Sequence, residues 1–262
     1  MKGPKILIYD IESSHNALLN FDLGGKNAGY IPHHNILEER YIICISWRWY
    51  GQKKIHSVSI LDDPKRFKKN HHDDYHVVSV FRDVLEEAEA LVAHNGDRFD
   101  LPMIKARMIF HGIPPIPKCI SLDTLKMARR SFKFNSNSLD YLARFLGFKG
   151  KMDNPKGLWI NCWQGDVKAI KHMIKYNKVD IEILEFVFVK LLPYIDTYAI
   201  NLNMFLKGAR CPNPTCGSSK LEWRGHKYTK TAKYRRCVCK ECGTWSNERT
   251  ALKEENKITI VK

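Results

Sequence analysis

The chain has 262 residues, 44% of them hydrophobic, which is enough for a packed core and excludes a disordered chain; at about 100–200 residues per domain there is room for one full domain and a small second one. Lys and Arg total 43 against 28 Asp and Glu, and residues 207–262 alone hold 14 basic and 5 acidic residues, a net of +9 out of +15, which points to a polyanionic partner, nucleic acid or an anionic membrane surface. No run approaches the roughly 18 apolar residues of a membrane span, and Met1–Asp10 lacks an apolar leader, so neither membrane insertion nor secretion is expected and a cytoplasmic location is.

In chain order, Lys5–Tyr9 reads as a short strand ending at Asp10. His15–Arg40 is a long polar, Gly-containing segment. Tyr41–Tyr50 and Lys54–Leu61 read as two strands of a hairpin, turned at Gly51-Gln52. Pro64–Asp74 is polar and reads as a surface loop. Val77, Val80, Phe81, Val84, Leu85 and Ala88 recur at helical spacing, so Val77–Ala90 is expected to be an amphipathic helix. A strand follows at Ala90–His94, a helix near Leu101–His111 and a strand near Cys119–Leu122. Helices are expected near Ser138–Leu146 and Asp166–Lys190. Three strands first, then strands alternating with helices, give an α/β layer architecture. From about Gly208 the pattern changes to Pro, Gly, Cys and basic residues, so a boundary is expected near 207, with a main domain over 1–207 and a small one over 208–262.

Four carboxylates stand where strand ends or helix faces would present them. Asp10 and Glu12, two apart just after the first strand, would point to one side of an extended chain and repel each other unless a cation neutralises them. Asp100 closes the run His94-Asn95-Gly96-Asp97-Arg98-Phe99-Asp100. Asp180 shares a helix face with Tyr176, four residues earlier. Oxygen ligands of this kind suit Mg²⁺ or Mn²⁺, and two such ions can serve phosphodiester cleavage.

These residues resemble the motifs of the DEDD 3′–5′ exonucleases, of ribonuclease H-like fold. The first motif is Asp10-Ile11-Glu12, the second is His94-Asn95-Gly96 with Phe99-Asp100-Leu101-Pro102, and the third is Tyr176 with Asp180, which marks the tyrosine branch. The second motif is most similar to the proofreading exonucleases of family-B DNA polymerases. The resemblance covers roughly residues 4–195 and thins over His15–Arg40, which is either a substrate lid or a surface excursion. It implies a mixed sheet flanked by helices and two Mg²⁺ or Mn²⁺ ions, with Asp10 bridging both. Glu12 and Asp180 would hold the metal on the nucleophile side, Asp100 would hold or orient the second, and Tyr176 would position the attacking water. Ile11 is a substrate-binding candidate, and Asn95 would either contact the terminal nucleotide or orient Asp100. Lys149 and Lys151 would meet phosphates or lie in a solvated loop. Asp123 reads as a helix N-cap or as a residue behind the ligands, and Phe99 as core.

Five of the eight cysteines crowd into the tail, as Cys211-x4-Cys216-Gly217 and Cys237-Val238-Cys239-x2-Cys242-Gly243. Two knuckles about 20 residues apart fit one tetrahedral Zn²⁺, with Cys211, Cys216, Cys239 and Cys242 as ligands and Cys237 spare. The pattern looks like a zinc ribbon, with hairpin strands expected at Lys220–Trp223 and Thr231–Arg236. Its cations, among them Arg224, Lys227, Arg235 and Arg236, alternate with Trp223, Tyr228 and Tyr234, a mixture that suits single strands. The expected function is a metal-dependent 3′–5′ exonuclease on single-stranded DNA, of phage or mobile-element type, with replication or repair proteins as possible further partners and no membrane. A 3′–5′ exoribonuclease and an inactive nucleic-acid-binding replication adaptor are the alternatives.

Overall fold

The computed structural model describes residues 4–20, 32–149, 154–195, 201, 208–230, 232–248 and 250–252. The elements run β1 (Ile6–Ser13), β2 (Ala17–Leu18), β3 (Ile36–Glu38), β4 (Ile42–Trp49), β5 (His56–Ser59), α1 (Pro64–Lys69), α2 (Tyr75–Glu86), β6 (Ala90–Ala93), α3 (Asp100–Phe110), β7 (Ile120–Asp123), α4 (Thr124–Ser131), α5 (Leu139–Phe145), α6 (Leu158–Trp163), α7 (Val167–Leu191), β8 (Leu221–Tyr228), β9 (Lys233–Cys239) and β10 (Trp245–Asn247).

The main sheet has the order β5-β4-β1-β6-β7. The β1/β4 and β4/β5 pairs are antiparallel, whereas β1/β6 and β6/β7 are parallel. Ile6 to Ile11 is apolar except at Asp10, as a central strand covered on both faces requires. On one face Tyr9 and Trp47 pack on Phe81 of α2, with ring centroids 5.5 and 5.6 Å apart. On the other face Ile6, Ile8, Val92 and Leu122 meet Ile181, Leu184 and Phe188 of α7.

Helix α7 starts where Asp166 accepts from the amides of Lys168 and Ala169. Its buried stripe, Ile170, Met173, Asn177, Ile181, Leu184, Phe188 and Leu191, recurs every three or four residues, and the helix packs across β1 and β4. One member of that stripe, Asn177, is polar.

Several expectations need correction. Strand β1 continues to Ser13, so Asp10 and Glu12 lie inside it rather than after it. The polar stretch 64–74 holds helix α1, because Asp63 caps it through the Arg66 amide and Pro64 occupies its first position. Helix α4 starts at the N-cap expected at Asp123, whereas α6 and the short β2/β3 pair are elements that the sequence pattern does not announce. Behind the sheet, Asp74 is fully buried and accepts from the Ile42 amide at 2.8 Å, from Arg107 Nη2 at 2.6 Å and from His111 Nε2 at 2.6 Å. Burial opposes its ionisation, but the bonds from His111 and Arg107 win and hold its carboxyl below the usual range.

The C-terminal residues form a separate antiparallel sheet, β10-β9-β8, with both hairpin strands longer than expected and a third strand added. The boundary expected near 207 lies outside the described residues. Across it, the Tyr50 hydroxyl donates to the Thr215 carbonyl at 3.2 Å. Among the described residues, no helix is long and apolar enough to cross a membrane.

Candidate active site and cysteine cluster

Asp10 and Glu12 come from the middle strand of the sheet, and Asp180 comes from α7 packed over it. Carboxylate oxygens of these three residues lie within 4.8 Å of one another. Asp100, at the first position of α3, stands beside them, its Oδ1 accepting from the Ile11 amide at 3.3 Å. Like charges held this close in a partly dry site resist ionisation. Burial and then Asp100, Glu12 and Asp180 drive the Asp10 carboxyl well above its ordinary range. Glu12 is pushed up to about 8 by burial and by Asp180 and Asp100, against a hydrogen bond from Trp159. Asp100 is pushed up to about 7 by burial, against the Ile11 amide. A group of acids under this strain could hold a cation: its donors are oxygens alone, the kind suited to Mg²⁺ or Mn²⁺.

The surroundings hold the acids in place. Asn177 Nδ2 donates to Asp10 Oδ2 at 2.7 Å, from a residue with no exposed surface. Tyr176 is half-buried, its ring edge-on to Trp159 at 6.3 Å. Burial and the Asp180 charge push its hydroxyl up to about 12, so it stays a neutral phenol at pH 7. The second motif is a scaffold. His94 bonds Thr124 Oγ1 and the Asn137 carbonyl, both at 2.9 Å, and burial lowers its pKa. Asn95 adopts φ 67°, a left-handed conformation that Asn tolerates, and its amide donates to Asp123 Oδ1 at 3.0 Å. Asp123 also takes the Asp97 amide and caps α4, so both readings of that residue apply at once. At Gly96 a Cβ would meet the Ala93 Cβ at 2.4 Å, so the motif's glycine is a point of close approach.

The other candidates fall differently. The Ile11 side chain is in the core and its amide donates to Asp100. Phe99, read as core, is 37% exposed with Arg40 5.9 Å over its ring. Lys149 is exposed, and Lys151 lies outside the described residues. The residue that sequence reasoning missed is Asn177. A signal existed for Asn177, the one polar residue in the apolar stripe of α7.

In the tail, the sulfurs of Cys211, Cys216, Cys239 and Cys242 lie within 4.8 Å of one another. Cys211 and Cys242 are 3.5 Å apart, and Cys216 and Cys239 3.7 Å. Zn–S bonds of about 2.3 Å in a tetrahedron put sulfurs about 3.8 Å apart, so the set fits Zn²⁺. Burial pushes the thiol of Cys211 up and that of Cys216 to about 11, a state that a cation would relieve. Cys237 is outside the group, with its Sγ 3.1 Å from Ser246 Oγ.

The RNase_H_2 family model, described as RNase_H superfamily, matches residues 37–192, more than half of the chain. The chain belongs to the RNase H superfamily. Among solved structures, this RNase H-like chain is similar to the family B DNA polymerase from the hyperthermophilic archaeon Pyrobaculum calidifontis, with a TM-score of 0.53 and 16% identity over 73% of this chain. The match spans only 25% of the polymerase. No curated protein matches the chain. An RNase H-like fold with this acidic group is the framework of a nuclease.

Proposed function

We propose that the protein is a metal-dependent 3′–5′ exonuclease of the tyrosine-branch DEDD type, acting on single-stranded DNA ends. The observation that carries this reading is the convergence of Asp10, Glu12 and Asp180 within 4.8 Å, with Asp100 and Tyr176 at its edge. Residues 1–207 would form the catalytic unit and 208–262 a zinc ribbon that holds the strand.

Asp10, Glu12 and Asp180 would hold one divalent ion, and Asp10 with Asp100 a second. Bound there, the ions would supply Lewis acidity, activating a water and neutralising charge on the phosphodiester. The chain's own residues do the rest. Asn177 fixes Asp10 toward the ion side, and the Ile11 amide fixes Asp100. The Tyr176 phenol, neutral at working pH, orients the attacking water. Water adds to the terminal phosphorus, the P–O3′ bond breaks, a 5′-mononucleotide leaves and the shortened strand keeps a 3′-hydroxyl. DNA is preferred over RNA because the second motif resembles the polymerase type and the similar solved chain is a DNA polymerase.

The test is shortening of 3′- and 5′-labelled single-stranded DNA and RNA with Mg²⁺, Mn²⁺ or EDTA, beside Asp10→Ala. Metal-dependent loss of nucleotides from the 3′ end of DNA, absent in Asp10→Ala, is expected. Activity that survives in Asp10→Ala would sink the site assignment, and preference for RNA would make the protein an exoribonuclease. No shortening of any strand would leave the binding adaptor.

A further inference from the structure

The ribbon sheet has two faces, and its register separates the residues on them. Opposed residues of an antiparallel pair share a face. Trp223 opposes Cys237, His226 opposes Arg235 and Tyr228 opposes Lys233. Three steps on β8 are matched by two on β9, so Arg224 and Gly225 form a bulge, with Gly225 at φ 66°. Trp223 and Tyr228 are five residues apart, and strict alternation would turn them to opposite faces. The two bulge residues count as one position in the pairing, so both rings lie on one side. A bulge that re-aims a side chain is a built feature of a sheet.

On that side each ring carries a cation. Arg235 lies 4.4 Å over Trp223, and Lys233 5.7 Å over Tyr228. The rings are 40% and 69% exposed. Arg235 is also 3.5 Å from Glu248, at the edge of this face. The opposite face has Trp245 beneath Arg236 at 4.7 Å, but Glu222 stands in the same row, across Val238 from Trp245. Glu222 is itself paired with Arg224 at 2.7 Å and with Lys240 at 3.4 Å.

We propose that the face bearing Trp223, His226, Tyr228, Lys233 and Arg235 is a stacking platform for single-stranded nucleic acid. This deepens the reading of the ribbon as the strand-holding unit and rests on it. Bases stack on Trp223 and Tyr228, and Lys233 and Arg235 meet the phosphates, a combination that grips a strand without reading its sequence. The proposal also divides the basic residues of the ribbon: Arg235 belongs to the platform, while Lys227 and Arg236 lie on the other face, and Arg224 is held by Glu222 at 2.7 Å.

The experiment is equilibrium binding of a labelled oligothymidylate to the full-length Asp10→Ala chain, which keeps the strand intact, with bound zinc measured for every variant. Trp223→Ala and Tyr228→Ala should each weaken binding about fivefold or more, and Trp223→Phe should retain most of it. Lys233→Gln should lower the salt slope by about one. Trp245→Ala should bind as the parent does. Trp245→Ala weakening binding as much as Trp223→Ala would overturn the choice of face. Zinc-loaded Trp223→Ala and Tyr228→Ala binding like the parent would overturn the platform itself. Binding without cleavage is read here, so failure of the platform stays distinct from failure of the nuclease reading, which shows in wild-type strand shortening.

Discussion

Asn177 and Asp10, 167 positions apart in the chain, are joined by a 2.7 Å hydrogen bond from Nδ2 to Oδ2. The bond ties the long helix α7 to the central strand at the point where the carboxylates meet. It also lowers the cost of ionising Asp10, against the repulsion of its neighbours. Asn177→Leu keeps the volume and the apolar stripe but removes the donor. Residues that orient a ligand in this way are typically worth about 10- to 100-fold in metal affinity or activity. We expect a loss of that size in nucleotide release, with a thermal midpoint close to wild type. A wild-type rate in the folded variant would show that Asp10 holds its orientation unaided.

Metal binding at the acidic site should strengthen as pH rises. Glu12 at about 8 and Asp100 at about 7 hold protons at neutral pH in the metal-free protein, and these must leave when a cation enters. The raised values also have a sign for stability. The folded metal-free state binds more protons than the unfolded one between about pH 4 and 8, so its stability falls as pH rises through that window. Calorimetry of Mn²⁺ binding in buffers of different ionisation enthalpy should show net proton release near pH 7, decreasing toward pH 9. Binding without proton release at pH 7 would contradict the raised carboxyls.

Asp74 titrates in the opposite sense. Its folded value is depressed, so its contribution to stability is present above the unfolded value of about 3.9 and is lost as pH falls through the lower folded one. Asp74→Asn leaves Arg107 without its carboxylate in a buried place, which should cost about 3–5 kcal/mol at pH 7. Urea unfolding at pH 7 and near pH 3 should show the gap between wild type and variant narrowing at the lower pH.

Gly96→Ala tests the close approach beneath the second motif. The added methyl would press on Ala93 of β6, and relief requires the turn carrying Asp100 to move. Overpacking of this kind costs about 1–3 kcal/mol. Activity should fall further than the drop in stability explains, measured well below the melting midpoint. A variant that is less stable but fully active would mean that the strain is relieved away from Asp100.

The cysteines make a clean pair of variants. Cys216→Ser removes one sulfur of the four-sulfur group, whereas Cys237→Ser touches only the contact with Ser246. Metal analysis should find about one zinc per chain in wild type and in Cys237→Ser, and substoichiometric zinc in Cys216→Ser. Zinc lost from Cys237→Ser instead would move the ligand set by two residues along β9.

The strands of the sheet were legible because buried strands read as apolar runs, and α2 and α7 because their stripes recur at helical spacing. Helix α1 was hidden by its own composition: Lys65, Arg66, Lys68 and Lys69 bury nothing, and what starts the helix is Asp63 and Pro64. Asp10 has the composition of a strand terminator, and only pairing with β4 out to Ser13 shows that β1 continues. At the site, carboxylates could be found by type and spacing. The groups that aim them could not, since Asn177, Trp159 and the Ile11 amide act through contacts made only when distant segments pack. Nor could the faces of the ribbon be assigned, because one bulge reverses the alternation from which a face is counted.

Strand β1 pairs with β4 from Leu7 to Ser13 and with β6 over Ile6–Ile8, and α7 closes over it. Two of the three clustered acids therefore sit on the segment whose amides should exchange with solvent last, since exchange there needs opening of the whole sheet. Strand β5 and the ribbon are peripheral and can fray alone. As the protein is warmed or exposed to denaturant, its hold on a strand through the ribbon should be lost first, and the acidic centre should outlast it until global unfolding.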